Sequence, residues 1–240
     1  MRHILSLLVV GAMLGGGLIY SRADAQTVAS TPTGANTATT GAAATPAARD
    51  MIKEAMTERS LGKADAPVVL EEFFALTCTH CAYFHLKVLP QFKAEYIDTG
   101  KVRIVYHDFI FNEVGLKASM LSRCAPASGY EQLLTTLFEM QSAWLNPQGG
   151  EAVLRQVAGF AGLSPSDIDS CLASKPLTDW LLQTRVDAIN NLDINSTPTF
   201  LVRGSLERIV GGKEIEDYRK VFDPLLAKLP TAAPSTPAQP

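Results

Sequence analysis

The feature that most constrains this chain is the junction at residues 68 to 81, where Val68-Val69-Leu70-Glu71-Glu72-Phe73-Phe74 runs into Cys78-Thr79-His80-Cys81. A β-rich run this apolar, bounded by Pro67 and the Thr77-Cys78 turn, predicts a strand covered on both faces and central in a sheet. From Thr79 to about Tyr96 the positions Tyr83, Phe84, Leu86, Val88, Leu89, Phe92 and Tyr96 fit a helix, with Pro90 predicting a kink midway and Thr99-Gly100 the end. Val102 to Phe111 reads as a second strand, so strand, helix and strand imply a parallel crossover. The cysteine pair falls where the first strand becomes the helix, the usual place for chemistry in open α/β folds.

Around this unit the pattern changes. Met51, Ile52, Ala55 and Met56 predict a short leading helix over Arg49 to Glu58, stopped by Gly62 and Pro67. A long helical stretch from about Leu116 to Ile189 is divided at Pro126, Pro147 to Gly150 and Pro165; it is too long for a simple crossover and fits an inserted helical subdomain over 112–190. Thr199 to Val202 and Glu207 to Val210 then read as a hairpin around Gly204, and Gly211-Gly212 leads into a final helix carrying Ile215, Tyr218, Val221, Phe222 and Leu225.

The compartment decides what four cysteines can do. Arg2 and His3, the apolar run Ile4 to Tyr20 and Ala23-Asp24-Ala25 before Gln26 read as a secretory signal peptide over 1–25. An uncleaved anchor is the alternative, but that run is short for a span and carries Gly11 and Gly15 to Gly17. Residues 26–48, almost wholly Thr, Ala, Ser, Pro, Gly and Asn, read as a flexible linker, and 230–240 as a disordered tail. A net charge of −3 without a basic run argues against a nucleic-acid surface.

Cys78 and Cys81 lie three residues apart on the first turn of a helix, close enough to bridge. Cys78, at the amino-terminal end, is the candidate nucleophile, because unpaired N–H groups and the helix dipole stabilise a thiolate there. His80, when protonated, adds a positive charge and is assigned a tuning role; Cys81, one turn deeper, is the resolving thiol. Whatever stabilises the Cys78 thiolate stabilises the reduced pair and makes its disulfide more oxidising. Glu72 is a carboxylate in a mostly apolar strand, costly unless paired or functional. An inert disulfide and half of a zinc site are the competing readings of the pair; zinc needs further ligands, and only His85 is near. His85 and His107 are read as helix-surface and strand-end residues without a role, and Trp144 and Trp180 as core. Cys124 and Cys171 flank most of the helical stretch and are read as a structural disulfide, with buried free thiols or intermolecular bonding as alternatives.

The strand with Glu-Phe-Phe at 72 to 74, Cys-x-His-Cys at 78 to 81, the helical insertion, and Ser196-Thr197-Pro198-Thr199-Phe200 followed by Gly211-Gly212 resemble the DsbA-like thiol oxidases of the thioredoxin superfamily. The resemblance spans about Glu58 to Leu229. It implies a thioredoxin fold split into 49–111 and 191–229 around the insertion, a cis peptide bond before Pro198, Thr197 and Pro198 binding the substrate backbone, and Glu72 as a buried acid that helps move the proton of Cys81. Thr79 departs from the proline frequent at that place, which bears on the redox potential. The implied activity is oxidation of reduced, unfolded secreted proteins in the periplasm by a monomer without a cofactor, reoxidised by a membrane quinone-coupled partner. A disulfide isomerase or reductase of the same fold, and a non-enzymatic periplasmic binder or chaperone, are the rival readings.

Overall fold

The computed structural model describes residues 46–228. The stretches read as signal peptide, as linker up to residue 45 and as tail fall outside the described residues. The described residues open on helix α1 (Pro46–Ala55), so the helix begins inside the stretch read as linker, and Ala48 is buried. Small residues pack as readily as they tether. Strand β1 (Arg59–Leu61) follows, where the sequence predicted the end of the helix. It pairs antiparallel with β3 (Val102–Asp108), which in turn runs parallel to β2 (Val68–Phe74). Strands β4 (Thr199–Val202) and β5 (Arg208–Val210) complete a sheet of order β1-β3-β2-β4-β5, with β4 antiparallel to β2. The apolar run at 68–74 is therefore the middle strand. The second strand stops at Asp108 rather than Phe111, because Phe109 turns away after one last bond from its N–H to the Phe74 carbonyl.

Between β2 and β3 the helix is irregular: α2 (Thr79–Tyr83), a π-helical turn over Phe84–Val88, α3 (Leu89–Phe92) and a second π turn over Lys93–Ile97. Pro90 lacks the N–H that would bond to residue 86, and its ring crowds that carbonyl, so the distortion falls in the turn before it. The insertion between β3 and β4 comprises α4 (Glu113–Cys124), a 3-10 turn, α5 (Tyr130–Glu139), α6 (Gln141–Trp144), α7 (Gly150–Phe160), α8 (Pro165–Leu172) and α9 (Lys175–Leu192). Helix α10 (Ile215–Ala227) ends the described fold.

Alternation along β2 sends Glu72 and Phe74 to one face and Phe73 to the other. On the first face Phe84, Phe92, Phe200, Tyr218 and Phe222 pack ring against ring; each such burial contributes about 1.5–3 kcal/mol. On the second, Phe73, Phe109, Ala188 and Ile194 form a smaller cluster under α9. Arg123 at the end of α4 ties the layers together. It pairs with Asp108, donates to the carbonyls of Ala55, Thr57 and Tyr106, and lies over the Trp180 ring. The architecture is the thioredoxin fold with a helical insertion, and no described helix is long and apolar enough to cross a membrane.

Candidate active site at the strand–helix junction

The β2 strand delivers the chain to a turn in which the Cys78 N–H bonds to the Ala75 carbonyl at 3.0 Å, and the Cys78 carbonyl then accepts from Ala82 at 3.1 Å to start α2. Cys78 is the extended N-cap residue of that helix, half-buried, and it uses no side-chain cap. Cys81, one turn in, is fully buried. Both are free thiols here. The two sulfurs are therefore inequivalent. The Cys78 thiol is pulled down from 9.0 to about 5, chiefly by a hydrogen bond from the Cys81 thiol, which outweighs the cost of burial, with help from the Thr197 side chain and the backbone N–H groups of Cys81 and His80. Burial, and then the adjacent Cys78 sulfur, push the Cys81 thiol well up.

His80 is exposed, and its backbone N–H adds to the pull on Cys78. The Thr197–Pro198 bond is cis, and the Thr197 carbonyl faces the first sulfur, accepting from Cys78 Sγ at 3.3 Å. Gly211 donates to the Pro198 carbonyl and has φ +84°; a Cβ on Gly212 would stand 2.9 Å from the His80 carbonyl. The Gly-Gly pair thus lets one loop close onto another. Beside Cys78 a shallow cavity of about 590 Å³ is lined by Thr77, Thr79, Phe111, Leu145, Ser196 and Thr197 among others. Phe73, Phe74 and Phe84 lie in the core, and Tyr83 is the exposed member of the aromatic set near the motif.

Glu72 is fully buried, and its Oε1 lies 2.9 Å from Nε2 of His85, also buried. The reading of His85 as a helix-surface residue is thereby corrected. Counting four residues on from inward-facing Cys81 places His85 on the same stripe, a signal that the apolar count passed over because histidine is not apolar. Burial raises the Glu72 carboxyl, and the His85 charge only partly opposes this; for His85, burial lowers and the Glu72 carboxylate more than restores, so the imidazole too titrates above its usual range. Two such sites in contact titrate as one coupled pair rather than as separate groups. Among the described residues no hydrogen-bond partner reaches Glu72 Oε2, His85 Nδ1 or the nearby Tyr218 hydroxyl, and the Glu72 charge acts on Cys81.

His107, at the end of β3, stacks on Phe73, and burial lowers its pKa. Trp144 is fully buried. Cys124 and Cys171 are joined across α4 and α8, away from the motif, with Cα atoms 6.3 Å apart. Among the described residues no cluster of three His, Cys, Asp or Glu has metal-binding geometry.

A protein-family model described as Thioredoxin matches residues 54–223. A Rickettsia felis protein named as a protein-disulfide oxidoreductase is 30% identical over 145 residues, 60% of this chain and 52% of that one, so the chain spans about half the length of this relative. Disulfide bond formation protein D of Bacillus subtilis is 32% identical over 178 residues, covering 70% of this chain and 76% of its own. The crystal structure of Wolbachia pipientis alpha-DsbA1 superimposes with a TM-score of 0.67 at 30% identity, over 72% of this chain and 92% of that one. With an inequivalent thiol pair at the head of α2 and a cis peptide bond facing it, this chain belongs to the thioredoxin family and, within it, to the DsbA-like disulfide oxidoreductases.

Proposed function

We propose that the protein is exported and introduces disulfides into reduced, unfolded secreted proteins through a Cys78–Cys81 disulfide. The observation that carries this reading is the split between the two sulfurs: half-buried Cys78 ionises at about 5, and buried Cys81 resists ionisation. A thiolate this acidic is a good leaving group, and its stability favours the reduced pair, so the disulfide is handed on readily.

In the reaction a client thiolate attacks Cys78 Sγ, a client–Cys78 bond forms, and Cys81 leaves as a thiolate. That buried anion takes a proton, for which the Glu72–His85 pair is the nearby store. The client's second thiolate then attacks the client sulfur of the mixed disulfide and releases the Cys78 thiolate. Two electrons have passed from client to protein. Thr197 and Pro198 hold the client backbone beside Cys78, and the cavity along Phe111 and Leu145 takes its side chains. Turnover needs an external oxidant, which we assign to a membrane quinone-coupled partner of the monomer.

The test is the equilibrium of the pair with glutathione. A potential well above roughly −200 mV is expected, and one near the −270 mV of a reductant such as thioredoxin would overturn the oxidase direction. Better activity on scrambled than on reduced clients, with an oligomer by light scattering, would point to the isomerase instead. Export is checked by finding the mature amino terminus at Gln26 in the periplasmic fraction.

A further inference from the structure

Gln141 is a buried amide at the start of α6, and its Nε2 donates to two carbonyls of the active-site turn, Leu76 at 2.7 Å and Cys78 at 3.2 Å. Both partners can only accept, which fixes which end of the amide faces them. The Leu76 carbonyl has no other donor among the described residues.

The element that carries Gln141 is firmly held. Trp144, at the other end of α6, is fully buried and donates from Nε1 to the Leu137 carbonyl at 2.6 Å. On the far side the chain packs so closely that a Cβ on Gly150 would stand 2.1 Å from the Trp144 carbonyl. A side chain from a helix anchored at its Trp144 end thus grips the turn that joins β2 to α2. The donors that act on Cys78 Sγ include the backbone N–H groups of His80 and Cys81, which lie in the two peptide planes that follow the Cys78 carbonyl at the start of α2. Loss of the grip would leave the Leu76 oxygen buried and unpaired, a cost that the turn relieves by rotating.

We propose that Gln141 is a positioning residue: by holding the Leu76 and Cys78 carbonyls it keeps the His80 and Cys81 N–H groups aimed at Cys78 Sγ, so that the helical insertion sets how readily Cys78 ionises. The proposal rests on Cys78 being the nucleophile.

The test uses the full-length reduced protein and follows thiolate ultraviolet absorbance against pH, with the glutathione equilibrium as a second readout. Gln141→Met keeps the volume and removes both donors; Gln141→Ala removes the volume as well. Both are expected to make Cys78 about tenfold less acidic and to shift the equilibrium toward the disulfide by a similar factor. Trp144→Phe, which weakens α6 without touching the turn, lowers the unfolding temperature and leaves the titration in place. A Gln141→Met protein that titrates like its parent would overturn the proposal, as would failure of both variants to fold, because the residue would then serve the whole fold. An alkaline parent Cys78 would overturn the nucleophile assignment itself, whatever Gln141 does.

Discussion

The four sulfurs of this chain sit in two settings. Cys124 and Cys171 are buried between α4 and α8 among apolar helix faces, bonded to each other. Cys78 and Cys81 share a single helical turn, yet one is half-exposed beside hydrogen-bond donors and the other is sealed over a titratable pair. Where two sulfurs have like surroundings the bond serves as a cross-link. Where their surroundings differ, breaking the bond sends charge to one side and a proton to the other, and the same covalent unit becomes a reagent.

The widest test of this contrast is deletion. Cys78→Ser is expected to abolish oxidation of a reduced client, and surviving activity would mean that the difference between the pairs has no chemical meaning. Replacing Cys124 and Cys171 by Ala should leave the rate unchanged and remove about 4 kcal/mol of stability, the chain-entropy value for a loop closed over a separation of 47 residues. Denaturant unfolding of the oxidised variant measures this; a rate loss with stability intact would reverse the roles of the pairs.

Finer tests address what lies beneath. Glu72→Gln takes the carboxylate from His85, whose burial then leaves it neutral. Formation of the mixed disulfide at neutral pH should slow by roughly 10- to 100-fold, with Cys78 ionisation unmoved. Stopped-flow mixing with a peptide thiol reads this, and an unchanged rate removes the pair from the reaction. A further test is a pH slope. Cys78 has a folded pKa of about 5 against 9.0 unperturbed, so its contribution to the reduced form is complete above about 9 and is lost as pH falls through about 5. The oxidised form lacks this group. The gap between reduced and oxidised unfolding midpoints should therefore move in favour of the reduced form from pH 5 to 9, and a flat gap would mean that the thiol ionises alike in the folded and unfolded chain.

Much of this was written locally. The apolar run at 68–74, the cysteine spacing after it and the prolines that divide the insertion are signals within a few residues, and the structure has β2 at the centre of the sheet and breaks at each proline cluster. Other parts depend on partners distant in sequence. β1 is three residues, Arg-Ser-Leu, without alternation, and is a strand because the edge of β3 offers it a ladder. Gln141 meets the turn across 65 and 63 positions, and no spacing rule reaches that far. His85 lay within reach of helical periodicity but was hidden by a count confined to apolar residues. The pair it makes with Glu72 joins a helix to a strand, and only packing could disclose it.

One contact narrows what this sequence can become. Gly212 brings no side chain to the chemistry, but its bare backbone lies against the His80 carbonyl, where even a methyl group would intrude. In a saturation library few replacements are expected to survive at this position, a tolerance set by bulk and enforced by the first turn of the active-site helix.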